Sequence, residues 1–155
     1  MKKLNNKTTK YFALLLSIII TAGCAPTIVS VKKSEQYKTV LCSSIEKKEN
    51  VAYPKNLTDQ FTKGNGKKVN VFIDWYDLEP QTKNTIRWEW FHPGGEIMGS
   101  IARVFTPTTS HWKSWGTMEL DDKYNRSPGQ WSVKVFLNNN YICTKKFMIL
   151  ENSVQ

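Results

Sequence analysis

Hydrophobic and polar positions alternate with a period of two along most of this chain, and almost nowhere with the 3.6-residue period of a helix. Lys68–Tyr76 places Val69, Val71, Ile73 and Trp75 on one face. Thr85–His92 sets Ile86, Trp88 and Trp90 on one side and Arg87 and Glu89 on the other. Gln130–Leu137 aligns Trp131, Val133, Val135 and Leu137. Tyr37–Ser43, Ile97–Phe105, Trp112–Leu120 and Tyr141–Leu150 read as further strands, rich in β-branched and aromatic residues. Turn chemistry separates them at Pro93-Gly94-Gly95-Glu96, Ser127-Pro128-Gly129 and Asn138-Asn139-Asn140. The pattern predicts an all-β protein, an antiparallel β-sandwich of about seven strands over residues 37–150, with residues 151–155 as a C-terminal tail. Residues 44–67, with Pro54 and the turn-rich Lys63-Gly64-Asn65-Gly66-Lys67, fit a strand, a loop cap or a short helix around Asn56–Phe61.

The first 24 residues follow another rule. Lys2, Lys3, Lys7 and Lys10 make a positive segment without an acid, and Phe12–Ile20 is a nearly unbroken apolar run. That run is about half of what a spanning helix needs and close to a secretory core. Thr21-Ala22-Gly23-Cys24 follows it. The segment resembles a bacterial lipoprotein signal with its lipobox, Thr21 standing where the pattern usually has Leu. The resemblance implies a signal helix over residues 1–23, cleavage before Cys24, a diacylglycerol on the Cys24 thiol and an acyl chain on its new amine. Ala25 follows the lipid cysteine rather than Asp, which in a two-membrane bacterium implies lipid anchoring at the outer membrane. Residues 24–36 then form the lipidated cysteine and a flexible tether to a domain in the periplasm.

Charge changes once the signal is set aside. The chain has 155 residues, 22 Lys plus Arg and 13 Asp plus Glu, a formal +9. Removing residues 1–23 leaves 132 residues and takes four lysines, so the mature charge falls to +5. The remaining basic residues are scattered rather than interleaved with aromatics as in a nucleic-acid groove, so nucleic acid is not an expected partner. With six Trp, seven Phe and six Tyr, the chain has material for a substantial core.

A second, looser resemblance lies in the hairpins. Arg87-Trp88-Glu89-Trp90-Phe91-His92-Pro93-Gly94-Gly95 is similar to the W-x-P-x-G hairpin of small immunoglobulin-like domains in bacterial envelope proteins. Pro128-Gly129-Gln130-Trp131-Ser132-Val133-Lys134-Val135, ending in Phe147 and Ile149, looks like their closing hairpin, with Asn139 or Asn140 at the usual glycine position. The likeness implies an immunoglobulin-like sandwich and no particular activity.

Candidate chemistry is sparse. Cys42 and Cys143 remain once Cys24 carries lipid, and an even pair in an oxidising compartment is a disulfide candidate, the alternative being two free buried thiols. His92 and His111 are the only imidazoles. Ser110, His111 and Asp121 make a triad only on paper, without a nucleophile elbow or oxyanion loop. Asp121-Asp122 and the group Asp74, Asp77 and Glu79 lack the alternating ligands of a calcium loop. The expectation is no catalytic residue, no metal and no cofactor beyond the lipid.

Tryptophan is the enrichment that points further. Trp75, Trp88, Trp90 and Trp131 fall on the apolar faces of their strands. Trp112 and Trp115 are three apart on a strand, so they point to opposite faces, beside Ser110, His111, Lys113 and Ser114. An exposed Trp beside donors stacks on sugars or docks a protein. Two function classes follow. One is a membrane-anchored, non-catalytic binding or assembly domain that contacts another envelope protein. The other is a glycan- or peptidoglycan-binding module using Trp112, Trp115 and His111.

Overall fold

A computed structural model describes residues 36–121 and 126–151. The signal helix, Cys24, the tether before Gln36, Asp122 and the tail beyond Glu151 lie outside the described residues.

Among the described residues nine strands form: β1 (Tyr37–Lys48), β2 (Val51–Leu57), β3 (Gln60–Thr62), β4 (Lys68–Trp75), β5 (Asn84–Phe91), β6 (Ile97–Phe105), β7 (Trp112–Glu119), β8 (Gly129–Leu137) and β9 (Asn140–Leu150). They build two sheets, in the orders β2-β1-β4-β7 and β3-β9-β8-β5-β6. All pairs are antiparallel except β3 with β9, which runs parallel. The fold is the expected all-β sandwich, with two strands more than the alternation marks. Both come from residues 44–67, where β1 also extends to Lys48 and turns directly into β2.

Local chemistry explains the turns. Asn138 and Asn139 take φ of 51° and 66°, the left-handed pair that a two-residue hairpin needs. Glu49 and Asn50 take φ of 48° and 65° between β1 and β2, the same backbone with a poor residue in first place. β2 tolerates Pro54 because it is an edge strand, where a missing N–H is harmless on the solvent side.

The core lies between the sheets. Val69, Val71, Ile73, Trp75 and Met118 from one sheet meet Ile86, Trp88, Trp90, Trp131, Val133, Val135, Phe147 and Ile149 from the other, with Leu41, Phe61 and Leu120 completing the cluster. β4 departs from simple alternation, since Asn70 and Phe72 on its outer side are buried as well. Phe72 joins a smaller apolar cluster with Cys42 and Ala52, against which Val40, Ile45 and Trp115 pack. The β1–β2 hairpin therefore covers part of the outer face of its own sheet.

Candidate functional site

The two histidines have structural partners. His92 Nε2 lies 2.5 Å from Ser127 Oγ, and its Nδ1 accepts from the Gly94 amide at 3.2 Å. An accepting Nδ1 makes Nε2 the donor in the neutral ring. The ring stands edge-on to Trp131, whose Nε1 donates to the Ser127 carbonyl at 2.9 Å. This arrangement latches the β5–β6 turn to the start of β8. His111 Nε2 sits 2.6 Å from Asp74 Oδ1 and its ring lies beside Tyr76. Asp121 instead accepts from the Gly66 amide at 2.7 Å. Ser110, His111 and Asp121 are thus not joined as a triad. Among the described residues no three His, Cys, Asp or Glu side chains cluster as metal ligands.

Cys42 and Cys143 are free thiols, which corrects the expected disulfide. The strands that carry them belong to different sheets. Cys42 belongs to the small outer cluster with Phe72 and Ala52. Cys143 packs against the main core, its Sγ 3.7 Å from Thr39 Oγ1. Cys42 faces the outer side of β1 and Cys143 the core side of β9, and a bridge needs side chains directed at each other. Burial pushes both thiols above a thiol's ordinary 9.0. Backbone hydrogen bonds at Lys55 and Ser44 oppose this at Cys42, and the Thr39 hydroxyl and the Lys145 charge oppose it at Cys143.

β7 brings Trp112, Trp115 and His111 to one cleft of about 530 Å³, which Lys47, Asn50, Val51, Ala52, Tyr53 and Lys113 complete. The indoles do point to opposite faces. Trp112 pairs with Trp75 in register and stacks on Phe105 with centroids 5.6 Å apart and planes 9° from parallel. Trp115 pairs with Phe72 on the outer face. Both are half-buried rather than free-standing. Lys47 Nζ lies 5.7 Å from the Trp115 ring centroid and Lys113 Nζ 4.5 Å from that of Tyr53. The cleft is therefore aromatic with a cationic rim.

The second feature is an open sheet edge that the alternation pattern does not single out. A sandwich of two open sheets has four edge strands, here β2, β7, β3 and β6. Natural edges are blunted by shortness, charge, proline or irregularity. β3 has three residues. β2 carries Pro54, Lys55 and a left-handed Asn56 with φ of 52°. β7 carries Lys113 and Glu119. β6 runs nine residues with Arg103 as its one charge and no proline; a bulge at Met98, which has no partner in β5, interrupts its start, and from Gly99 to Phe105 it is regular and exposed along nearly its whole length. Ile97 is 57 % exposed, Met98 43 %, Ile101 37 % and Val104 59 %. Ile101 pairs with Trp88, and Gly99 with Trp90, so these positions share the core-facing side of the sheet yet remain uncovered.

Two grooves run between β6 and β7. One of about 390 Å³ is lined by Trp90, Met98, Gly99, Ile101 and Met118 among others, and one of about 210 Å³ by Trp88, Arg103, Phe105 and Trp112. The buried Nε1 atoms of Trp88 and Trp90 find no hydrogen-bond partner among the described residues. The one sequence signal for this open side is the poor alternation of Ile97–Phe105, with Gly99, Ser100 and Ala102 where a covered strand would carry larger side chains.

These features define an immunoglobulin-like β-sandwich domain with one long exposed edge and one aromatic cleft. No known family pattern and no characterised protein matches the chain in sequence. In structure it is similar to an immunoglobulin-like protein from Pseudomonas aeruginosa, with TM-score 0.44 and 14 % identity over 74 % of this chain and 98 % of that one. It is also similar to part of a Pseudomonas fluorescens alkylpurine DNA glycosylase bound to DNA containing an abasic site analogue, with TM-score 0.42 and 14 % identity over 74 % of this chain and 30 % of that one. A CARDB domain from Pyrococcus furiosus, in complex with di-metal ions, aligns at TM-score 0.37 and 7 % identity over 76 % of this chain and 90 % of that one. These likenesses concern architecture, which the strand pairing of this chain establishes independently.

Proposed function

We propose that the protein is a lipid-anchored bacterial envelope protein whose sandwich is a non-catalytic binding and assembly domain. Residues 1–24 support the anchor, with Cys24 carrying a diacylglycerol and an N-acyl chain, and Ala25 supports the outer membrane as the site of attachment. Acyl chains on one residue in this number suffice for stable attachment, since a single chain binds only marginally. The observation that carries the binding role is β6, a long apolar edge whose backbone is free to accept a further strand. Main-chain hydrogen bonds supply the affinity of such strand addition, and the side chains alternating along the edge supply specificity.

Two experiments test the two halves. Metabolic labelling with a palmitate analogue is expected to mark the wild type and not Cys24→Ala, which should leave the membrane fraction; an unlabelled wild type contradicts the anchor. Photo-crosslinking from Met98 and Val104 on β6, compared with Tyr53 and Lys55 on β2, is expected to yield a discrete adduct from β6 alone. Equal labelling from both edges contradicts the binding role.

A second reading rests on the cleft formed by Tyr53, His111, Lys113 and Trp115. Aromatic faces with cationic neighbours suit a sugar that carries a carboxylate or phosphate. Cell-wall fragments added to the protein should then shift tryptophan emission saturably, and Trp115→Ala should remove the shift. No shift at millimolar sugar excludes this reading.

A further inference from the structure

β6 reads Ile97-Met98-Gly99-Ser100-Ile101-Ala102-Arg103-Val104-Phe105. Outward from Ile101 its residue types mirror one another: Ser100 with Ala102, Met98 with Val104, and Ile97 with Phe105. Gly99 and Arg103 break the mirror in a complementary way. The bulge at Met98 ends the regular stretch at Gly99, and over Gly99–Arg103 two copies of the strand laid antiparallel about a twofold axis at Ile101 set Ile101 against itself and Ser100 against Ala102. They also set the strand's one cation opposite Gly99, where an added Cβ would meet nothing within 4 Å.

The neighbouring strand extends the match. Glu89 pairs with Ser100 and Arg87 with Ala102 within one copy. Across the axis, each flanking row then runs from Glu89 through Ser100 to Ala102 and Arg87 of the second copy. Unlike charges end the row and small residues fill its middle. Like charges are kept apart, as a self-pairing edge requires.

Resting on β6 as the working edge, we propose that its occupant is β6 of a second copy. The pairing joins two five-stranded sheets into one continuous sheet through a closed, self-complementary interface. Anchoring both copies in one membrane raises their effective concentration, so a contact of modest area suffices.

The test is a cysteine pair scan on the full-length protein in its native membrane under mild oxidation, with the wild type as background for Cys42 and Cys143. In the pairing described, Ile101→Cys meets itself at about 4.5–5.5 Å between Cα atoms, within reach of a disulfide. Ile97→Cys is the more exposed site, but its two copies lie eight residues apart along the strand, about 27 Å. The expected result is a disulfide-linked dimer of I101C and none of I97C. Mixing copies with Gly99→Cys and copies with Arg103→Cys gives a second readout that leaves Ile101 intact: only the mixture should form the dimer. Equal linkage of I97C and I101C, or no linkage of either the I101C or the mixed sample, overturns the pairing. An I101C adduct to a different protein also overturns it, while leaving the edge reading standing.

Discussion

The indole of Trp88 occupies the space in front of Gly116 in the opposite sheet: a Cβ added to Gly116 would lie 2.6 Å from Cγ and Cδ2 of that ring. Trp88 is fully buried and Gly116, on the edge strand β7, pairs with Val71, so the indole packs directly against the backbone of the opposite sheet. The glycine is required by this approach rather than by its backbone angles. Gly116→Ala is expected to cost about 1–3 kcal/mol, the usual penalty for overpacking a core. Urea unfolding monitored by tryptophan emission checks it, and an unchanged midpoint contradicts the contact.

The β8–β9 turn is held by a side chain as well as by its backbone. Asn138 Oδ1 accepts from the Thr85 amide at 2.8 Å, and Nδ2 donates to Asn84 Oδ1 at 2.8 Å. Asn84 is itself buried. Asn138→Ala should therefore lose about 1–3 kcal/mol, from unsatisfied polar groups and a strained left-handed backbone. Asn138→Gly should lose less, because it keeps the backbone freedom. Equal losses in the two variants would contradict this division.

The thiols set a pH dependence. Burial raises both folded-state values above a thiol's ordinary 9.0, so the folded state holds these protons more tightly than the unfolded chain. Their contribution to stability is complete below the unfolded value, and falls as pH rises from there through the folded values. Stability of the wild type should drop more steeply above pH 9 than that of a Cys42→Ala, Cys143→Ala variant. Parallel curves would contradict the shift. Without reductant, the unfolded chain should also offer both thiols to alkylation, and the folded chain should react slowly.

Tyr53 and Lys113 line the cleft together, the Lys113 ammonium 4.5 Å from the Tyr53 ring centroid. Tyr53→Ala should widen the cleft and expose Trp115 to solvent, at a cost of about 0.5–1 kcal/mol for the lost cation–π contact. Acrylamide quenching of tryptophan emission checks it; quenching equal to wild type would contradict the role of Tyr53 as cover.

Much of the fold is legible in local pattern. The buried rows of β5 and β8 and the opposite facing of Trp112 and Trp115 follow from a period of two, and Asn138-Asn139 announces its own turn. Elsewhere the deciding interactions are distant. Glu49 is a poor left-handed residue, so the β1–β2 hairpin has a weak turn signal. β3 exists through three pairs with β9, far along the chain. Phe72 reads as a solvent-facing position of β4, and only the hairpin folded over it and Trp115 make it core. Cys42 and Cys143 lie on strands correctly placed, yet judging their pairing required knowing that Cys42 faces the outer side of its sheet and Cys143 the core. The exposure of β6 depends on which strands face it, which alternation within nine residues does not encode.

Hydrogen exchange along β6 in native membranes measures the central claim most directly. If this edge accepts a further strand, alternate β6 amides that point away from β5 will exchange about as slowly as those of β5, and will speed up once the protein is diluted in detergent. Fast exchange of those amides in both states, with β5 protected throughout, would contradict the assignment of β6 as the working surface.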